Sequence, residues 1–308
     1  MATVVVTGGT GFIGQRLVKA LLRRGDKVIV TSRKASAARA VFESTIEIVE
    51  WDGVARDAIR GVISRADAVM HLAGANIGER RWTEARMKNL RASRTVPTEI
   101  LASVMSESKP SPRVFVSMSA VGIYGMRSDN VELSEGSECG SDFLANLCVD
   151  WEAAANAARG AGVRVTHPRM GIVLGKEGGV LAQTLPIFRM GLGGPIGAGT
   201  QYIGWIHIDD AVAALLFSLD HESLSGAYNV TAPTPVTMNE YAATLGRVLR
   251  RPVLMRVPSF ALKVAMGSNL AELVLTGQRA IPRVLLERKF SFEHPALERA
   301  LSSLLSSS

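Results

Sequence analysis

A chain of 308 residues with 47% apolar and 20% charged side chains has the composition of an ordinary globular protein and not of a disordered one. Its formal charge of +7 is modest and spread along the chain, and aromatics at 6% are too sparse for the stacking platform of a single-strand nucleic-acid binder. No apolar run approaches the roughly 18 residues of a membrane span, and Cys139 and Cys148 have neither metal-ligand spacing nor a disulfide framework, so reduced thiols in an intracellular compartment are expected.

A β-branched run, Val4-Val5-Val6, predicts a first strand so close to Met1 that no signal or transit segment is expected in this sequence. The expected location is cytoplasmic, or an organelle matrix or stroma if a longer precursor carries an address. The strand runs into Thr7-Gly8-Gly9-Thr10-Gly11-Phe12-Ile13-Gly14, and Leu17, Leu21 and Leu22 follow at helical spacing. Such a turn lets the backbone approach a pyrophosphate and aims the unpaired N–H groups of a helix N-terminus at it. A bare match at Gly9, Gly11 and Gly14 also describes an ordinary tight turn. The strand before it and the amphipathic helix after it make dinucleotide binding the reading.

The second strand, Val28-Ile29-Val30, ends in Thr31-Ser32-Arg33-Lys34. Sites for NAD place an acid here to hold the ribose 2′-hydroxyl. A hydroxyl and two cations suit a 2′-phosphate instead, so NADP(H) is expected; two surface cations at a strand end are the bland alternative. The third strand, Ile46-Glu47-Ile48-Val49, leads to Trp51-Asp52, which suits either adenine contact or a core tryptophan. The fourth is Ala68-Val69-Met70-His71-Leu72. The helix predicted over 84–107 and its lead-in carry Arg80, Arg81, Arg86, Lys88, Arg91 and Arg94, a solvated face from which one or two cations would reach phosphate. Val114-Phe115-Val116 is the fifth strand, 144–159 the next clear helix, and Val163-Arg164-Val165 begins the sixth strand. This alternation predicts an α/β, doubly wound parallel sheet of Rossmann type with helices on both faces and ligands beyond the strands' carboxyl ends.

After Gly175 the rhythm changes. Gly191-Leu192-Gly193-Gly194-Pro195-Ile196-Gly197-Ala198-Gly199 reads equally as a connecting loop and as a loop closing over substrate. Trp205-Ile206-His207-Ile208-Asp209-Asp210 precedes an apolar helix from Ala211 to about Leu219. A metal or base at His207 competes there with an aspartate cap on that helix, and the cap is preferred. No metal site is expected. Residues 1–175, with 205–232 returning to them, are read as the cofactor domain. Residues 176–204 and 233–301 are read as a smaller substrate lobe, and 302–308 as a disordered tail.

The glycine turn, Leu72-Ala73-Gly74, Ser117-Met118-Ser119-Ala120-Val121 with Tyr124-Gly125, Arg169 to Gly175 and Trp205 to Asp210 together resemble the extended branch of the short-chain dehydrogenase/reductase superfamily. Ala73-Gly74-Ala75-Asn76-Ile77, Arg81-Trp82-Thr83, Ser93-Arg94, Asp142-Phe143-Leu144, Trp151-Glu152-Ala153-Ala154 and Gly191–Gly199 narrow the likeness. They resemble an atypical epimerase-like family, sometimes labelled cell-division-inhibitor-like, of bacteria, mitochondria and plastids. Its C-terminal region resembles residues 251–301. The resemblance implies NADP(H) held by the turn (Gly8, Thr10, Gly11, Phe12, Ile13, Gly14) and by Ser32, Arg33, Leu72, Ala73, Gly74 and Arg94, with Asn89 and Val173 nearby.

Catalytically complete members of the superfamily carry Tyr-x-x-x-Lys on the helix after the fifth strand. Aligning the glutamate that often follows with Glu152 places Leu144 and Cys148 in those two positions. Leucine transfers no proton and a neutral thiol carries no charge. The catalytic candidates left are Ser119, as a donor to a carbonyl oxygen, then Tyr124, Cys148 or Arg169, with a packed helix residue the preferred reading of Cys148. Ile203 stands where nucleotide-sugar enzymes have a phosphate-binding arginine, so that substrate class loses its anchor. Two functions follow: an NADP(H)-dependent oxidoreductase on an unidentified small carbonyl or alcohol, or a catalytically weak NADPH-binding regulator with a protein partner, linked to cell or organelle division.

Overall fold

Alternating burial organises the chain from its first strand: in Val4-Val5-Val6 the outer two side chains enter one apolar core and the middle one enters another. The computed structural model describes residues 1–42 and 46–306. In chain order its first elements are β1 (Thr3–Thr7), α1 (Phe12–Arg23), β2 (Lys27–Ser32), α2 (Ala35–Arg39), β3 (Glu47–Glu50), α3 (Arg56–Ile63), β4 (Ala68–His71), α4 (Glu84–Glu107) and β5 (Val114–Ser117). Next come β6 (Ser119–Ala120), β7 (Glu132–Leu133), α5 (Phe143–Asn156), β8 (Arg164–Met170), β9 (Ile172–Leu174), α6 (Gly179–Arg189), β10 (Tyr202–Ile203), β11 (Trp205–His207), α7 (Ile208–Asp220) and β12 (Gly226–Val230). The chain ends with β13 (Val236–Thr237), α8 (Met238–Leu249), α9 (Ser259–Met266), α10 (Ser268–Leu275), β14 (Arg279–Ala280), α11 (Arg283–Glu287) and α12 (Leu297–Ser306).

The main sheet runs in the order β12-β8-β5-β4-β1-β2-β3, with β6 beside β8, and all its pairs are parallel. One face buries Val4, Val6, Val30, Met70 and Val116 with Leu17 and Leu21 of α1 and Leu215 of α7. The other buries Val5, Ile29, Val69 and Phe115 with Ile59 of α3 and Leu101 of α4. Helices on both faces make this the doubly wound sheet that the β/α rhythm predicts. Register brings polar residues together at the carboxyl ends: Thr31 beside Thr7, Thr7 beside His71, and His71 beside Ser117. One step further on, Arg169 lies between Ser119 and Asn229.

Later segments fasten to this sheet by specific polar contacts. Asp210 accepts the Glu293 and His294 backbone N–H groups at 2.8 and 2.9 Å, and Asn229 Nδ2 donates to the Ile281 carbonyl at 2.9 Å. The expected disorder of 302–308 is corrected over 302–306. Leu297, Ala300, Leu301 and Leu304 form one buried stripe of α12, and that periodicity prevails over the serine-rich composition. Ser307 and Ser308 lie outside the described residues.

Candidate functional site: a dinucleotide cradle and a buried polar network

The turn after β1 is built so that only glycine fits two of its positions. Gly8 has φ +70°, and a Cβ there would meet the Ala73 nitrogen and the Leu72 carbonyl carbon, both at 2.8 Å. A Cβ on Gly14 would lie 2.3 Å from the Gly8 carbonyl oxygen, so α1 starts hard against the turn. Gly11 N-caps α1 and donates to the Gly8 carbonyl at 3.0 Å, which leaves the N–H groups of the first helical turn without intrahelical acceptors. Leu72 N–H donates to the Thr7 carbonyl at 3.1 Å, joining the Leu72-Ala73-Gly74 segment to the turn. A third segment closes the group: the Phe12 ring fills the space where a Cβ on Gly175 or Gly178 would sit, at 2.4 and 2.5 Å. Val173 is buried in β9 just before that loop. The turn and the Leu72-Ala73 backbone therefore meet at one helix N-terminus, with the Gly175 and Gly178 segment packed on Phe12. The Phe12 side chain serves packing.

At the second strand end, Ser32 Oγ donates to the Lys34 carbonyl at 3.0 Å, and Arg33 and Lys34 are exposed. The position is less free of acid than its own strand implies. Glu50 is the register partner of Ser32 in β3, and its Oε2 accepts the Ala35 N–H at 3.0 Å. Trp51 is settled by packing: its indole lies in the core and Nε1 donates to the Ala55 carbonyl at 3.0 Å.

On α4, Asn89 is exposed and accepts from Arg86 at 3.3 Å; no hydrogen bond among the described residues joins it to the turn. Arg94 is buried, so it does not belong to a solvated face. Its guanidinium donates to the Leu90 and Ala75 carbonyls at 3.1 and 3.0 Å, lies 5.2 Å from the Trp151 ring centroid, and would touch a Cβ on Gly74 at 3.1 Å. Burial, opposed by the Cys148 thiol, brings its pKa down to about 10. Its Nε has no partner among the described residues. Arg94 thus props the Gly74-Ala75 backbone from beneath.

Ser119, Tyr124, Glu152, Arg169 and Asn229 form one network. Ser119 Oγ donates to Glu152 Oε1 at 2.7 Å. Arg169 grips the same carboxylate through Nε at 2.9 Å and Nη2 at 3.1 Å, the bidentate geometry of a strong pair. Its Nη1 donates to Tyr124 Oη and to the Glu135 carbonyl, both at 3.1 Å. Burial opposes the Arg169 charge, but the Glu152 carboxylate outweighs it and raises the guanidinium pKa.

Two catalytic candidates are corrected by this geometry. Tyr124 is 1% exposed and donates its hydroxyl to Asn229 Oδ1 at 2.7 Å; burial pushes its pKa up to about 12. Cys148 is 2% exposed, and burial followed by Glu152 pushes its thiol up to about 12. Neither group is poised to move a proton or attack. Leu144 is buried against Gly122, so the tyrosine's own position on α5 carries no polar side chain. Asn229 and Glu135 escape sequence reasoning. A lone asparagine between Tyr228 and Val230 in a buried strand is a signal for the first; nothing local marks the second.

The preferred aspartate cap on α7 is also corrected. His207 itself is the N-cap, its Nδ1 accepting the Asp209 N–H at 3.0 Å, while Asp210 holds residues 293 and 294. Nδ1 as acceptor makes Nε2 the protonated nitrogen, which lies 3.2 Å from Ser303 Oγ. His207, Asp209 and His294 bring potential metal-ligand atoms within 4.8 Å of one another, but both nitrogens of His207 already have these partners.

The glycine cradle, built where any Cβ at Gly8 or Gly14 collides with backbone, fits a dinucleotide phosphate bridge. Comparison with known proteins agrees. Residues 4–231 match the model of the NAD dependent epimerase/dehydratase family, and residues 257–304 match a domain of unknown function (DUF1731). Epimerase family protein ML0860 of Mycobacterium leprae is 41% identical over 301 residues, covering 98% of this chain and 95% of that protein. The chloroplastic epimerase family protein SDR39U1 homolog of Arabidopsis thaliana is 38% identical, covering 98% and 86%. The crystal structure of human epimerase family protein SDR39U1 (isoform 2) with NADPH superposes with a TM-score of 0.89 at 34% identity, covering 99% of this chain and all of that one. No helix among the described residues is long and apolar enough to cross a membrane. The chain belongs to the NAD dependent epimerase/dehydratase family.

Proposed function

We propose that this protein binds NADP(H) and acts as an oxidoreductase on a small carbonyl or alcohol, with Ser119 meeting the substrate oxygen and Glu152 as its proton partner. The 2.7 Å bond from Ser119 to Glu152 carries the reading. It gives a proton path at the carboxyl end of the sheet where the superfamily's tyrosine and lysine are replaced by Leu144 and Cys148. NADP(H) is supported by the glycine cradle, by exposed Arg33 and Lys34, and by NADPH in the human relative. The turn N–H groups and Gly8 would hold the phosphate bridge, and Ser32, Arg33 and Lys34 the 2′-phosphate.

A bound nicotinamide supplies or accepts the hydride. The chain's own residues handle the proton. In alcohol oxidation the substrate hydroxyl proton passes to Ser119 Oγ as the serine's proton passes to Glu152; in carbonyl reduction both transfers reverse. Arg169 holds Glu152 in place through two bonds, and Tyr124 and Asn229 hold Arg169. Ser119 is 2% exposed and the Glu152 side chain 12%, so bulk water has little access to the pair.

One observation favours the second reading, a catalytically weak NADPH-binding regulator: Tyr124 and Cys148 are both committed to packing and internal bonds. A panel of carbonyl compounds with NADPH separates the two. Turnover that disappears in Ser119→Ala while NADPH affinity is unchanged supports the oxidoreductase. Turnover untouched by Ser119→Ala refutes the role given to that serine, and tight NADPH binding without turnover on any compound supports the regulator.

A further inference from the structure

Leaving aside Met1, the four most exposed large hydrophobic side chains among the described residues are Leu254, Val264, Phe260 and Met190, at 83, 74, 70 and 65%. They belong to one surface. Gly197 N–H donates to the Val257 carbonyl at 2.9 Å and Val257 N–H to the Pro195 carbonyl at 3.1 Å, so the glycine loop after α6 runs beside the segment leading into α9. Leu192 and Met255, on the same two segments, are each more than half exposed. Helix α9 has no buried residue at all. It packs on α10 through its half-buried side, leaves Phe260 and Val264 exposed, and is held at its far end by Arg81, which donates to the Val264 and Ala265 carbonyls at 2.6 and 3.1 Å. An apolar patch this exposed marks an interaction surface.

Charge identifies the occupant. The two stretches that form the patch, residues 178–208 and 241–271, contain no aspartate or glutamate. Of their cations, Arg247 pairs with Glu298 and Arg256 is turned onto the Gly197 and Ala198 carbonyls, while Arg189, Arg250, Arg251 and Lys263 are paired with no carboxylate among the described residues. A second copy docking through the same face would set these cations against themselves, which opposes an isologous dimer. Protruding Phe, Leu, Met and Val flanked by unpaired Arg and Lys match the boundary of an anionic bilayer, where apolar tips enter the acyl region and cations meet phosphate headgroups.

We infer that this face, from Met190 to Val264, docks the protein reversibly on an anionic lipid surface. The docking is independent of the oxidoreductase reading, since no residue of the cradle or of the Ser119 network takes part. The test is co-sedimentation of the full chain with phosphatidylcholine vesicles, with and without phosphatidylglycerol, over a salt series. Binding is expected to need phosphatidylglycerol and to fall with salt. Arg250→Ala/Arg251→Ala should lower partitioning by about tenfold or more, and Leu254→Ser/Phe260→Ser should abolish it, with NADPH affinity and thermal midpoint unchanged in both. The inference is overturned if no vesicle is bound, if neutral and anionic vesicles bind alike, or if the Leu254/Phe260 variant binds as wild type. It is also overturned if the patch substitutions dissolve a concentration-dependent dimer without altering vesicle binding.

Discussion

Replacing Gly14 with alanine tests whether the turn after β1 is a cradle or only a turn. The new Cβ would sit 2.3 Å from the Gly8 carbonyl oxygen, 2.7 Å from Gly9 Cα and 2.8 Å from the Gly9 carbonyl oxygen. All three are backbone atoms, so no side chain can swing aside. Relief requires α1 and the turn to part by roughly 0.7 Å, the distance from 2.3 to the 3.0 Å floor for real Cβ contacts. That movement carries the helix N-terminus away from the phosphates it would hold. Loss of one charge-assisted hydrogen bond costs about 1.5–3 kcal/mol, which is roughly a 10- to 150-fold weaker Kd. The strain itself costs about 1–3 kcal/mol of stability. NADPH fluorescence titration measures the first and urea denaturation the second. A Gly14→Ala protein that stays folded and binds NADPH with unchanged Kd would refute the reasoning, because the close approach would then serve no ligand.

At the 2′-phosphate position, Arg33→Ala should weaken NADPH far more than NADH, whereas Glu50→Gln should tighten NADPH by removing an acid held beside Ser32; equal effects on both cofactors would sink the assignment. His71, His167 and His207 are pushed down to about 3, about 4 and about 4, by burial first in each case. Below the ordinary value of 6.5 the unfolded chain binds protons at these sites and the folded chain does not, so stability should fall as pH drops from about 6.5 towards 4, by roughly 2 kcal/mol per histidine at about pH 5. Urea midpoints at about pH 7 and pH 5 check this, and His71→Asn should flatten the slope. A thiol reagent should label Cys139, which is exposed, and reach Cys148 only on unfolding; rapid labelling of both in the native protein would contradict the packing of α5.

The strand and turn chemistry near the N-terminus was legible because it is local. Val4-Val5-Val6 states its alternation in three residues, and Gly8 and Gly14 are needed for contacts within a few positions or across one neighbouring strand end. Long-range partners were not legible. Glu50 reaches the Ser32 position only because β3 pairs with β2, and Asn229 meets Tyr124 across 105 positions of chain. Arg94 is buried apart from the other cations of α4, and its contacts are backbone carbonyls, which no side-chain motif advertises. The cap on α7 shows the same limit: two aspartates in its first turn point to an acidic cap, but Asp210 is claimed by residues 293 and 294, leaving His207 to serve.

What replaces the missing lysine is a question of where positive charge sits. In α5 the position holds a thiol that burial keeps protonated, so the helix itself contributes no cation. Two arginines approach from neighbouring elements instead, Arg94 from α4 and Arg169 from β8, and both interact electrostatically with Cys148. Each is committed elsewhere: Arg94 to the Leu90 and Ala75 carbonyls, Arg169 to Glu152, Tyr124 and the Glu135 carbonyl. Arg169 does pull the phenol of Tyr124 down, but burial outweighs it and the group is raised to about 12. The positive charge of Arg169 sits instead on Glu152, the carboxylate that accepts from the Ser119 hydroxyl. On the proposed reading the serine hydroxyl hands its proton to that carboxylate base, a route that needs neither the tyrosine nor the lysine whose positions are held by Leu144 and Cys148.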